Sequence, residues 1–342
     1  MRAYKVLFAA SAILAVLGVA RASAQSPAEF YKGKTVEMMI GYSVGGGYDV
    51  YARLISRHLG KYIPGNPTVT PKNMEGAGSL RLANWLYNVA NKNGTVIGTI
   101  GRGTGFDPLF GHKAAQFDAT RFNWIGSAND EVSVCVVWNG RTKIVKFEDL
   151  LTNPLAVGGT GAAADTDQFP RIINGVLGTQ MKIVTGYPGG NDVNLALERG
   201  EVDGRCGWSW SSVVSTRASW LKEKKINILM QLSLEKHPDL PDVPLITELA
   251  KTDEQRAILR LIFARQALGR PYLAPPDVPA DRVAALRKAF MDTMKDKDFL
   301  AEADKAQLEV TPVSGEAIQK LVGEIYQTPP AIVKRAADLL VK

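Results

Sequence analysis

Twice along the chain the same grammar recurs: a short apolar β-rich run, a glycine-rich loop, a helix, and then the set again. Alternation of this kind confines a chain to the α/β class, because each strand must bury its faces under the helix that follows it. In the first half, residues 35–41 are β-rich and Gly45-Gly46-Gly47 follows. Val50, Tyr51, Leu54, Ile55, Leu59 and Tyr62 then recur at helical spacing until Pro64-Gly65-Asn66. A second strand over 68–72 leads into Asn73 to Ser79, with Ser79 as the expected cap of a helix over 80–90 and a third strand at 95–100. In the second half, strands are expected at 132–138, 155–159, 181–185 and 202–206, with helices opening from the loops 160–167 and 186–192. After a strand at 226–232 comes a proline-rich connection, 237–244, and then helices at 253–268, 280–294, 314–326 and 329–340. A helical set of this kind can pack back on the first lobe. The expected lobes are therefore 25–130 with 232–342, and 131–231.

The first 24 residues read as a secretory signal: Arg2 and Lys5, an apolar run over 6–20, and Ala22-Ser23-Ala24 before Gln25. No twin arginine precedes the run, so export unfolded and without a preloaded cofactor is expected. Losing Arg2, Lys5 and Arg21 takes the formal charge from +7 to +4. No Lys/Arg run with interleaved aromatics argues for nucleic acid, and no later run is long and apolar enough for a bilayer. At about 318 residues after loss of the signal, a single core is near its size limit, which also favours two lobes. Cys135 and Cys206 either pair in an oxidising compartment or act as two small buried apolar residues. With His58, His112 and His237 they offer no metal-ligand spacing, and no cofactor is expected.

Three readings compete for the loops. Gly41-Tyr42-Ser43-Val44-Gly45 matches the G-x-S-x-G elbow of a serine esterase with Ser43 as nucleophile, but only one strand precedes it and His237 lies in the proline-rich connection. Gly159-Thr160-Gly161-Ala162-Ala163-Ala164 matches a dinucleotide fingerprint, but the next strand does not end on an acidic residue. The third reading uses all the loops together: Gly45, Gly46 and Gly47, Gly76 to Ser79, and Thr160-Gly161 each precede a helix, where free N–H groups can hold a carboxylate. Several such loops at strand ends in two similar halves favour a cleft for a small anion.

Residues 31–35 and 40–49, Asn73 to Ser79, Asn93-Gly94-Thr95, Gly186 to Gly190, Gly200-Glu201-Val202-Asp203 and 240–244 together resemble the substrate receptors of tripartite tricarboxylate transporters, the Bug proteins. The resemblance runs from about residue 29 to the C-terminus. It implies a type II periplasmic binding protein: two lobes, each a mixed sheet flanked by helices, joined by two crossover strands and closing like a flytrap. It also implies a periplasmic monomer that takes a small carboxylate to membrane permease subunits, with no catalysis.

Carried over by position, Tyr42, Ser43, Gly46, Gly47 and Asp49 match the first binding loop, and Gly76, Gly78 and Ser79 the second. Thr160 and Gly161, then Tyr187, Pro188 and Gly189, fall on the loops of the other lobe, and Asp203 on its acidic position. Asp49 also suits a helix N-cap. Asp165 and Asp167 depart from the family pattern and would repel an anion unless offset. Arg102 and Arg205 could offset them, either by holding a second ligand carboxylate or by pairing with Asp165, Asp167 or Asp203. Trp208 and Trp210, with Tyr42 and Tyr187, are candidates for an aromatic wall or for core packing.

Overall fold

The computed structural model describes residues 25–341, so the expected signal segment lies outside the described residues. Eleven strands form in chain order: β1 Thr35–Ile40, β2 Thr68–Asn73, β3 Val96–Thr99, β4 Asn123–Ser127, β5 Ser133–Trp138, β6 Leu155–Gly158, β7 Met181–Val184, β8 Gly204–Ser209, β9 Ile226–Leu232, β10 Pro271–Ala274 and β11 Val313–Ser314. They make two sheets, of order β11-β4-β10-β3-β1-β2 and β7-β6-β8-β5-β9. Both are mixed: β1 runs parallel to β2 and β3 while β10 is antiparallel to β3 and β4, and β6 runs parallel to β7 and β8 while β5 is antiparallel to β8 and β9. The chain crosses from the first sheet to the second between Ser127 and Ser133 and returns between Leu232 and Pro271. Two lobes with two crossings result.

Alternation along β1 shows how each sheet is sandwiched. Val36, Met38 and Ile40 enter one apolar core with Tyr51, Leu54 and Ile55 of the Gly47–Leu59 helix, while Met39 points into a second core with Leu82 and Leu86. This sets the parallel strand ends, and the loops leaving them, along one edge of the lobe.

Three of the local readings differ from the structure. The first binding loop ends earlier than expected: Gly46 is the N-cap, and Asp49, inside the first turn, reaches back to the Gly45 N–H at 2.9 Å. Ser79 caps nothing; it sits at φ 75° and accepts the Gly101 N–H at 2.7 Å. β8 runs on through Trp208 to Ser209 and meets the helix Trp210–Lys222 directly, where the sequence suggests a loop. A strand holding Arg205 and Ser209 lacks the apolar run that marks a strand, yet it is buried along its whole length between β5 and β6.

The C-terminal helices also divide between lobes. Ala280–Thr293 and Gly315–Tyr326 pack on β4 of the first sheet, but Asp253–Phe263 and Pro330–Val341 pack on the Asp165–Leu177 helix of the second. Residues 232–342 therefore do not all return to the first lobe. Phe169 against Phe263, with ring centroids 4.7 Å apart, is one reason, since the apolar face of the Asp165–Leu177 helix needs that cover.

Cys135 and Cys206 stand opposite each other on β5 and β8 and are joined as a disulfide that closes a sequence separation of 71 residues. Intact mass before and after reduction should differ by two hydrogens, and Cys135→Ala with Cys206→Ala should cost on the order of 2–4 kcal/mol in a denaturant melt. In the return crossing, His237 lies 3.9 Å from Glu309 and 3.7 Å from Asp239. The facing Glu309 carboxylate, whose effect is larger than the opposing one of burial, raises its pKa above the ordinary 6.5. A raised histidine pKa stabilises the fold fully below 6.5, and that stability is lost as pH rises through the folded value. Thermal melts at rising pH should therefore show the wild type losing its advantage over His237→Gln.

Candidate functional site

Between the two sheets lies a cavity of about 50 Å³, lined by Tyr42, Gly46, Gly47, Tyr48, Arg102, Thr160, Ala164, Asp165, Thr166, Gly190, Arg205, Gly207, Trp208, Ser209 and Ser212. That is room for a compact small molecule or a few waters. Two helices from opposite lobes present their N-termini to it, Gly47–Leu59 and Gly190–Arg199, and neither has a side-chain cap. A Cβ on Gly46 would lie 3.6 Å from the Gly190 nitrogen, so the two positive helix ends face each other across the cleft.

The two wall arginines differ in their partners. Arg102, 2% exposed, is 3.0 Å from Asp165 through Nε, donates to Gln266 at 2.5 Å and to Ser209, and its backbone N–H donates to the Tyr48 hydroxyl at 3.1 Å. Burial works against its charge, but Tyr48 and Asp165 outweigh that and hold its pKa above the arginine range. Burial raises Asp165, and Arg102, Arg265 and Arg270 oppose it. Arg205, 6% exposed, donates to the Gly190 carbonyl at 2.9 Å and to Asn194 at 2.7 Å and lies 4.5 Å over the Trp208 ring. Its Nε has no partner, and no carboxylate pairs with it among the described residues. Burial, then Arg217 and Arg270, press its pKa downward.

Two arginines and an acid that the sequence reading missed sit behind this wall. Arg270, fully buried, donates to Ser209 at 2.9 Å, Ser211 at 3.0 Å and Ser212 at 2.7 Å, and lies 3.3 Å from Glu131 of the first crossing. Arg265 lies 3.7 Å from the other Asp165 oxygen and donates to Gln168. A signal existed: Arg270 stands alone in the apolar run Leu268-Gly269-Arg270-Pro271-Tyr272-Leu273.

Of the positions expected at the site, Tyr42, Gly46, Gly47, Arg102, Thr160 and Arg205 line the cavity. Several loop amides expected to be free are already used: Gly45 by Asp49, Thr160 by Thr166 at 3.0 Å, and Gly161 by Asp167 at 2.9 Å. Asp49 also pairs with Arg53 at 2.9 Å, so it braces its own loop. Gly76 bends the chain before Gly78, and Gly78 and Gly161 meet across the cleft: a Cβ on Gly161 would come within 2.6 Å of Ala77 and of the Gly78 nitrogen. Gly189 takes the close approach of Ser43. Tyr187 turns outward to Glu201 at 3.2 Å beside exposed Pro188, and Trp210 bonds Asp239 at 3.2 Å. Neither joins the cavity wall, which takes its aromatics from Trp208 and the stacked pair Tyr42 and Tyr48. Asp203 precedes β8 at the end away from Ser209.

Ser43 donates to Asp192 of the opposite lobe at 2.5 Å. The three histidines pair elsewhere, His58 with Glu302, His112 with Asp107 and His237 with Asp239 and Glu309. Among the described residues no group of His, Cys, Asp and Glu is placed to hold a metal ion, and no helix is long and apolar enough to cross a membrane.

No family model and no curated protein matches the sequence. Among solved structures, the periplasmic binding protein BugD superposes with a TM-score of 0.72 at 19% identity, covering 90% of this chain and 98% of its own. The fold is that of the periplasmic binding proteins. MatC from Rhodopseudomonas palustris, with bound malate, gives 0.69 at 20% identity, covering 90% and 99%, and R. palustris Rpa4515, with adipate, gives 0.69 at 15%, covering 90% and 97%. The lobes touch where Gly161, at φ 128°, lies against Ala77 and Gly78, an approach that a side chain there would block. Gly161→Ala should therefore leave each lobe folded, expand the protein in small-angle scattering, and weaken binding of any cleft ligand by roughly tenfold or more.

Proposed function

We propose that the chain is an extracytoplasmic solute receptor of the Bug type. It binds a small carboxylated metabolite between its lobes and presents it to the membrane subunits of a tripartite tricarboxylate-type transporter. The observation that carries this reading is the cavity itself: two uncapped helix N-termini and the Arg205 guanidinium, which no protein carboxylate neutralises, converge there. A buried cation without a counter-charge is costly, and an anionic ligand removes that cost. The neighbours described with malate and with adipate hold carboxylates in the same fold.

Binding without chemistry is also what the wall residues favour. A carboxylate beside Arg205 meets no free base and no activated nucleophile in the wall, since Asp165 faces Arg102 and Arg265 and Ser43 is committed to Asp192. Periplasmic location and a monomeric state complete the reading. Residues 25–130 with most of 232–342 form the lobe that meets the ligand through Gly46 and Gly47, and 131–231 the lobe that carries Arg205.

The test is thermal stabilisation of the protein beginning at Gln25 by a panel of small mono- and dicarboxylates, with mass spectrometry of the ligand afterwards. Stabilisation with unchanged ligand is expected, and Arg205→Gln should lower the affinity by roughly tenfold to a hundredfold. Turnover of a carboxylate, or no stabilisation by any, would overturn the reading.

A further inference from the structure

We propose that Asp165 occupies the place of a second ligand carboxylate, so that this cleft selects a small monocarboxylate over a dicarboxylate of the same length. The inference rests on the receptor reading above and concerns the same cavity.

Arg102 and Arg205 are the two arginines in the cavity wall. Arg102 is already matched in charge, with an Asp165 oxygen 3.0 Å from its Nε, and has polar partners on both terminal nitrogens. Arg270 has Glu131, and Arg265 faces the second Asp165 oxygen. Of these four arginines Arg205 alone has no acid, and its Nε is a buried nitrogen without a partner. One cation therefore remains for the ligand, and it calls for one carboxylate. A second carboxylate reaching Arg102 would meet Asp165 in the same dry space, and like charges there repel strongly. Asp165 cannot retreat, since it stands in the first turn of the Asp165–Leu177 helix and is buried. An ammonium at the far end fares no better, because Arg102 and Arg265 flank the acid. What the wall offers the rest of the ligand is the Trp208 face and the stacked Tyr42 and Tyr48, which suit an uncharged tail.

Titration calorimetry with butyrate, succinate and 4-aminobutyrate, at one pH and ionic strength, tests this on the wild type and on Asp165→Asn. The asparagine keeps an acceptor for Arg102 and removes only the charge. Butyrate should bind the wild type roughly tenfold or more tightly than succinate. Asp165→Asn should tighten succinate by about tenfold while butyrate changes by less than about threefold. Succinate or 4-aminobutyrate binding the wild type as well as butyrate would overturn the inference and leave the receptor reading standing, and so would an unchanged ratio in Asp165→Asn. Failure of all three acids to bind, together with failure of the wider panel, would overturn both. Should the variant not fold, the wild-type ratio decides alone.

Discussion

The arrangement of the lobes depends on arginines that leave one lobe to be neutralised in the other. Arg102 follows β3 of the first sheet, and its acid, Asp165, belongs to a helix of the second; Arg270 precedes β10 and is received by Ser209, Ser211 and Ser212. Removing one member of a buried pair of this kind leaves an uncompensated charge and costs about 3–5 kcal/mol, so the bridging geometry is held firmly once formed. The serines are the right partners for Arg270 because they open the Trp210–Lys222 helix, whose positive end would repel a guanidinium lacking intervening acceptors. Glu131, from the crossing between the sheets, supplies the charge that the hydroxyls do not. The cavity is the space these bridges leave between them.

Within that space, the loops and the side chains divide the work differently from what glycine-rich loops suggest. Asp49, Thr166 and Asp167 each satisfy an amide of the loop just before them, so the loops brace themselves and hold their shape whether or not the lobes meet. Glycine then serves distance more than donation. A side chain at Gly47 would strike Ser212, one at Gly190 would strike Arg205, and one at Gly78 would reach the Ala164 backbone at 2.5 Å. Under the proposed function, selection of an anion thereby passes to Arg205, supported by two helix ends, rather than to a net of free amides.

How much of this was legible in the sequence follows from which signals are local. The α/β alternation, two lobes and most strand positions follow from apolar periodicity, which each segment carries in itself. Arg205 was also visible, because a charge inside a strand leading to a glycine needs a reason. Its distinction from Arg102 was not, since Asp165 lies 63 residues from Arg102 in the chain and only the tertiary fold brings them together. Arg265, Arg270 and Glu131 were missed because they lie in the crossing segments, where Glu131 and Arg270 fall in stretches that read as connections and Arg265 at the end of an expected helix. Their burial comes from both lobes at once. The same cause misplaced Tyr187 and Trp210, whose neighbours in sequence line the cavity while their rings turn to Glu201 and Asp239.

The G-x-S-x-G run shows the limit of a local motif most plainly. Ser43 sits after a strand and before a helix, as a nucleophile elbow requires, and a carboxylate lies within 2.5 Å of its hydroxyl. A nucleophile elbow also needs a histidine beside the serine, and His58, His112 and His237 pair elsewhere. What Ser43 and Asp192 do instead is join the first lobe's loop to the second lobe's helix beside Gly189, where a side chain would collide with Ser43. The motif marks a contact between the lobes.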